Sequence, residues 1–369
     1  MRRGLAVLSI VLLGVVLLAA PACSGGGGSA DGEPDRDGQG GDRALSALDL
    51  PEVPSSGCDA GAALPAGDED RTVTSGSDER SYILSIPPAY DGATPLPVVV
   101  DYHGYLEGSQ VHARTSGFRD LGDVEGFITV TPQGLGEVPA WNIAQDGKDV
   151  DFTNALLDQL EADLCIDRSQ VYAAGFSNGA MLTSTLACTT TGRFAAVMPV
   201  AGILTVDDCD PDHPMPAIIF HGTDDQFVVF DGGLGAGALD LPTEGGGTIG
   251  EGADPGIDLD DEDATIENFA PDTVPERATT WALRNGCDGD FEATDVSDTV
   301  GRRTYTGCPY DGRVVLYVVD GGGHAWPGSE FTASIESVVG ATTMDVDATE
   351  LGWEFFSEQR REIPATESS

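Results

Sequence analysis

Residues 170–182 read QVYAAGFSNGAML. Val171 to Ala174 form a short, β-leaning apolar run, and Gly179 to Cys188 carries Ala180, Met181, Leu182, Leu186 and Ala187, which suit a helix. Gly175-Phe176-Ser177-Asn178-Gly179 joins the two and matches Gly-x-Ser-x-Gly, a strand-to-helix elbow with its serine at the apex. So sharp a turn strains the serine backbone and crowds the positions two before and two after it, where side chains larger than hydrogen clash. A plain glycine loop is the competing reading, because glycine supplies 49 of the 369 residues.

The length fits one large α/β domain with additions, and 40% hydrophobic residues allow a large core. Eighteen Lys and Arg against 62 Asp and Glu give a formal charge of −44, and Lys148 is the sole lysine. A field of that sign repels nucleic acid and anionic headgroups, which excludes both as partners. A solvated acidic surface accounts for the excess.

Arg2 and Arg3 precede an uncharged apolar run from Gly4 to Ala22 that ends Ala20-Pro21-Ala22-Cys23, the layout of a secretory signal over 1–22. Cys23 stands where a bacterial lipobox would place its lipidated cysteine, although Ala20 replaces the usual leucine. We expect an exported, cell-surface lipoprotein anchored at Cys23, touching the membrane through that lipid alone. Ordinary cleavage and an uncleaved anchor are the alternatives. Of seven cysteines, Cys23 leaves six, an even set that reads as disulfides in an exported chain. Order along the chain and strand proximity suggest Cys58–Cys165, Cys188–Cys209 and Cys287–Cys308. A zinc site is the rival, but no C-x-x-C pair occurs and there are five histidines, so neither metal nor cofactor is expected.

Residues 23–57 are Gly- and Asp-rich and read as a flexible tether. The folded part spans 58–362, with 363–369 a tail. Short apolar runs recur at 82–86, 98–102, 127–130, 171–174, 195–200, 218–220 and 314–319, several without alternation, as in parallel strands covered on both faces. Phe152, Leu156, Leu160 and Leu164 stripe one helix with Asp151 near its cap, and Thr273-Val274-Pro275-Glu276 offers a capping box for another. The alternation predicts a mostly parallel sheet with helices on both faces. The stretch 231–270, glycine-rich and then acidic, reads as a solvated surface insertion near the site rim or a mobile lid. Asp258, Asp260 and Glu262 alternate as in a calcium loop, but Asp263 and Phe269 stand where glycine and glutamate are required, so that reading fails.

A serine hydroxyl attacks an acyl carbon only with a base in reach, and the base needs a carboxylate to fix its tautomer. In α/β-hydrolases with this elbow the chain order is nucleophile, acid, histidine. His103 and His112 precede Ser177, whereas His213, His221 and His324 follow it. His324 lies beyond any acid placed after the next strand, in the glycine-rich loop after the run Val314–Val319. The acid should end the strand between, where Ile218-Ile219-Phe220-His221-Gly222-Thr223-Asp224-Asp225 offers two carboxylates. His221 and His103 read as structural. The backbone N–H groups of Asn178 and Tyr105 are the candidate oxyanion donors. Trp141, Phe227 and Trp326 are expected to line the substrate pocket, with core packing the competing reading for each.

Seven blocks occur in one order: Tyr102-His103-Gly104-Tyr105, Thr131-Pro132-Gln133-Gly134, Trp141-Asn142, Gly175 to Ala180, His221 to Asp225, Trp281 to Cys287, and Gly322 to Gly328. In this the chain resembles the bacterial polyhydroxybutyrate depolymerase and feruloyl esterase-like lipoproteins, carbohydrate esterase family 1 in the broad sense, over roughly residues 58–330. The resemblance implies an α/β-hydrolase fold, and a serine esterase with Ser177, Asp225 and His324 as its triad. Asp225 is preferred to Asp224 because the family's acid is the last residue of that block. The insertion 231–270 departs from the family pattern. The expected partners are an ester and water, with hydroxybutyrate oligomers or feruloyl and acetyl esters as substrates and a monomer as the working unit. A non-catalytic tethered binding lipoprotein and a serine peptidase on the same fold are the alternatives.

Overall fold

In the computed structural model, which describes residues 50–363 apart from 62, 191, 210–212, 252–268 and 310–311, the apolar runs lie side by side in one ten-stranded sheet. Its strands are β1 (Gly67–Ser75), β2 (Asp78–Ile86), β3 (Leu96–Tyr102), β4 (Ile128–Pro132), β5 (Ile166–Phe176), β6 (Ala196–Val200), β7 (Ala217–Gly222), β8 (Phe291–Asp295), β9 (Val300–Tyr305) and β10 (Val314–Val319). They are ordered β1-β2-β4-β3-β5-β6-β7-β10-β9-β8. From β4 to β10 every neighbouring pair is parallel, and the hairpins β1–β2 and β8–β9 add antiparallel edges. This is an α/β-hydrolase fold.

The central strands are buried on both faces because each face meets helices. Val98, Val100 and Ala173 join one core with Phe152, Leu156 and Leu160 of the helix Lys148–Asp163, Leu182 of the helix Asn178–Thr189, and Ala278 of the helix Val274–Arg284. Val99, Tyr172 and Ala174 point the other way, into a second core with Phe118, Phe355 and Phe356. The edges carry no such signal. β8 is exposed along its whole length and β1 along most of it, so charged and polar side chains take the place of an apolar run, and neither strand was expected.

Three expectations change. Residues 53–57 are not tether: the Ser55 N–H donates to Ile166 O at 2.9 Å, and the Arg168 N–H to Val53 O at 2.8 Å. The helix striped by Phe152, Leu156 and Leu160 begins earlier than Phe152, at Lys148, with Gly147 at its N-cap and Asp151 near the cap in its first turn, and Asp149 is buried against Arg80 at 2.6 Å. The first half of the insertion lies at the surface, as expected, but is folded: 231–251 contains a short helix (Ala236–Leu239) and buries Ala238, Thr243 and Ile249. The capping box at Thr273 and Glu276 forms in both directions. Disulfides join Cys58 to Cys165, Cys188 to Cys209, and Cys287 to Cys308. The leader, Cys23 and the acidic stretch 252–268 lie outside the described residues.

Candidate active site

β5 ends at Phe176 and the next helix begins at Asn178, leaving Ser177 alone at the turn with φ 55° and ψ −118°. Its glycines are forced by contact. A Cβ on Gly175 would lie 2.4 Å from Gly179 O, and one on Gly179 would lie 2.2 Å from Tyr102 O and 2.6 Å from His103 O. Gly175 is therefore crowded by its partner in the elbow, while Gly179 is crowded by the exit of β3. The Ser177 N–H donates to Val200 O at 2.9 Å, which ties the turn to β6.

The loops after β7 and β10 are drawn together by their own backbones. The Asp224 N–H donates to Gly322 O at 2.9 Å, and a Cβ on Gly222 would lie 2.2 Å from that same oxygen. Asp225 and His324 then meet, with His324 Nδ1 2.7 Å from Asp225 Oδ2 and both residues buried. Asp225 Oδ1 accepts the N–H groups of Phe227 at 2.8 Å and Val228 at 3.0 Å. Burial raises the Asp225 carboxyl, but the charge of His324 and hydrogen bonds from His221 and His324 outweigh it and hold the group well below the usual carboxylate range. Asp224, the other candidate acid, is exposed. His221 donates through Nε2 to Val228 O at 2.8 Å, a bracing role for the turn that carries Asp225. His213 is exposed.

The His324 ring lies 4.9 Å from that of Phe176, the residue before Ser177, and 4.8 Å from that of half-buried Phe227, on which it stacks. Among the described residues Ser177 Oγ makes no hydrogen bond, and in serine hydrolases the serine–imidazole contact commonly tightens only when substrate binds.

Asn178 opens its helix, where the first N–H groups have no partner within the helix, and its side chain is locked by Trp141, which donates its N–H to Oδ1 at 2.7 Å and accepts from Nδ2 at 3.2 Å. Tyr105 follows Gly104, where an added Cβ would lie 3.4 Å from Ser177 Cβ. The Tyr105 hydroxyl donates to Pro242 O at 3.1 Å, so the folded part of the insertion rests on this loop. A cleft of about 230 Å³ opens there, lined by Tyr105, Ala140, Asn142, Lys148 and Glu244 among others.

Two of the expected pocket residues are core instead. Trp141 is fully buried, its indole N–H donating to His103 O at 2.8 Å and its ring 4.6 Å from that of His103. Trp326 is buried on the far face of the sheet, its indole N–H bonded to Thr349 Oγ1 at 2.9 Å. Both indoles find acceptors indoors, which is what allows so large a polar-tipped ring to leave the surface.

His103 holds the loop by hydrogen bonds: Nδ1 donates to Gly104 O at 2.7 Å and Nε2 accepts the Gly134 N–H at 2.8 Å. Burial pushes its imidazole down to about 4, so it is neutral. Sequence reading missed the cluster behind this loop, in which buried His112 lies 2.8 Å from Asp101 Oδ1 through Nε2 and 3.0 Å from Glu107 Oε2 through Nδ1. The only signal was a Glu and a His five residues apart at a strand exit, a pattern that surface loops share. Among the described residues no group of three His, Cys, Asp or Glu side chains could hold a metal ion.

No family model matches the chain. A "Probable feruloyl esterase C" from Aspergillus clavatus is 33% identical over 201 residues, covering 52% of this chain and 70% of the relative. The chain belongs to the feruloyl esterase family. A "Putative esterase NocK" from Nocardia uniformis subsp. tsuyamanensis is 29% identical over 298 residues, 77% of this chain and 81% of its own length. Feruloyl esterase B of Piromyces equi is 26% identical over 261 residues; they make up 67% of this chain and 42% of that relative, so this member of the family spans less than half of it.

Proposed function

We propose that this protein is an extracellular serine carboxylic ester hydrolase in which Ser177 is the nucleophile, His324 the base and Asp225 the orienting acid. The observation that carries the reading is the buried 2.7 Å contact between His324 Nδ1 and Asp225 Oδ2, beside the elbow. With Nδ1–H donated to the carboxylate, Nε2 keeps its lone pair and accepts the Ser177 proton. Ser177 Oγ bonds to the ester carbon, and the carbonyl oxygen takes the charge, held by the N–H groups of Asn178 and Tyr105. His324 passes the proton to the departing alcohol, leaving an acyl-serine. Water, deprotonated by the same imidazole, then releases the acid and restores the hydroxyl.

Feruloyl or acetyl esters of sugars are the substrates proposed first, in keeping with the names of the relatives, and short hydroxybutyrate oligomers second. Phe227 stacked on His324, together with the cleft beside Tyr105, provides apolar and polar walls for the two sides of such an ester. Three disulfides suit an oxidising location outside the cell, and a lipid on Cys23 would hold the enzyme at the surface. Turnover of p-nitrophenyl acetate, methyl ferulate and a hydroxybutyrate trimer should be compared for the wild type and Ser177→Ala. The variant is expected to lose on the order of 10⁶-fold in kcat. Retention of a tenth of wild-type turnover in Ser177→Ala would end the proposal.

A further inference from the structure

Gly104 is held at both ends of its backbone. Its N–H donates to Glu107 Oε2 at 2.8 Å, and its carbonyl accepts from His103 Nδ1 at 2.7 Å and from the Glu107 N–H at 3.1 Å. In a trans peptide C=O and N–H point in opposite directions, so pinning the Gly104 carbonyl aims the Tyr105 N–H the other way. The next residue, Leu106, sits at φ 66°, a conformation that costs a non-glycine residue energy and persists when its surroundings enforce it. Here the Leu106 N–H is tied to Pro139 O at 2.9 Å, and the Glu107 carboxylate closes the turn from the other side.

Glu107 is itself clamped. His112 Nδ1 and the Thr115 hydroxyl reach its two oxygens, and the opposite ring nitrogen of His112 rests on Asp101, which also accepts from Ser116. His112, Asp101, Thr115 and Ser116 are all buried, with the Trp326 ring edge-on to the imidazole at 5.8 Å. Burial alone would drive His112 down, but the two carboxyls prevail and raise it to about 10, while His112 and its hydrogen-bonding neighbours bring Glu107 to about 2 against the pull of burial. At neutral pH an imidazolium and a carboxylate therefore face each other behind the loop. A buried charged cluster is a poor way to gain stability compared with apolar packing of the same volume. Its return is geometric: it holds one carboxylate oxygen where a loop N–H needs it.

We propose that Glu107, fixed by His112 and Asp101, is a positioning residue: its carboxylate holds the Gly104 N–H and so the turn in which the Gly104 carbonyl meets the Glu107 N–H, which aims the Tyr105 N–H at the oxyanion. The proposal rests on the esterase reading above. Glu107 touches no reacting atom and acts through the loop, so its effect belongs to the transition state and not to substrate binding.

The test compares Glu107→Ala with Glu107→Gln in the full folded chain, using p-nitrophenyl acetate, a trifluoromethyl ketone as transition-state mimic, and thermal unfolding. Loss of one oxyanion donor costs roughly 10²- to 10³-fold in kcat, so Glu107→Ala should lower kcat about 100-fold with KM within about threefold of wild type. Affinity for the ketone should weaken by the same factor as kcat/KM. Glu107→Gln, whose amide oxygen can still accept the Gly104 N–H, should recover at least about tenfold of that loss. If Glu107→Ala does not fold, Thr115→Val loosens the same carboxylate without removing charge and should lower kcat about three- to tenfold at unchanged KM. A lowered melting temperature with kcat within twofold of wild type, in whichever of these two variants folds, overturns the proposal and leaves the esterase reading intact. A wild type without esterase turnover overturns both.

Discussion

Asp225→Asn is a sharp probe of the proposed triad because the structure dictates how the amide must sit. Asp225 Oδ1 accepts two backbone N–H groups, from Phe227 and Val228, so in the variant the single amide oxygen must stay there. The NH2 group then occupies the Oδ2 position, 2.7 Å from His324 Nδ1, and donates to it. His324 is forced into the opposite tautomer, with its proton on Nε2, where it can no longer accept from Ser177. The shape of the site is unchanged and the base is blocked. In serine hydrolases this exchange lowers kcat about 10⁴-fold, which is about 5.4 kcal/mol of barrier. Initial rates on p-nitrophenyl acetate at pH 7.5, with substrate saturating, measure the effect directly, and circular dichroism confirms the fold. Turnover within tenfold of wild type in a folded Asp225→Asn protein would mean that the carboxylate does not orient the base, and the triad would have to be abandoned.

The buried cluster behind the loop makes stability depend on pH with a defined sign. The His112 imidazole is raised in the folded state from 6.5 to about 10, so its contribution is complete below about pH 6.5 and disappears as pH climbs through about 10. Glu107 is lowered from 4.5 to about 2, so its contribution is complete above about pH 4.5 and disappears as pH falls through about 2. The melting-temperature gap between wild type and His112→Asn should therefore be widest between about pH 4.5 and 6.5 and shrink toward pH 10; a gap constant across that alkaline range contradicts the assignment. The disulfides should rank by the loops they close. Cys58–Cys165 spans 107 residues and Cys188–Cys209 spans 21, for which chain entropy gives about 4.8 and about 3.3 kcal/mol. Urea unfolding of the paired Cys→Ala variants should show the longer loop to be the costlier loss, and an inverted order would refute that account.

What the sequence determined by itself was what local chemistry forces. A serine between Gly175 and Gly179 admits few backbone paths, and the apolar runs of the central strands announce burial on both faces. Chain order then left His324 as the histidine that could follow the acid. These signals are legible in sequence because the turn's glycines and the unbroken apolar runs are written within short segments, even where, as at Gly179, the contact that enforces them comes from β3. Tertiary structure decided the rest. Trp141 and Trp326 look like pocket walls in sequence, yet each found a buried acceptor, His103 O and Thr349 Oγ1, contributed by a segment distant along the chain. The edge strands β1 and β8 have exposed faces and so left little hydrophobic trace, while residues 231–251 folded against a loop that begins more than a hundred positions earlier. Glu107, His112 and Asp101 carry the same lesson. A charged residue betrays its burial only through the partners that neutralise it, and those partners become neighbours only when the chain has folded.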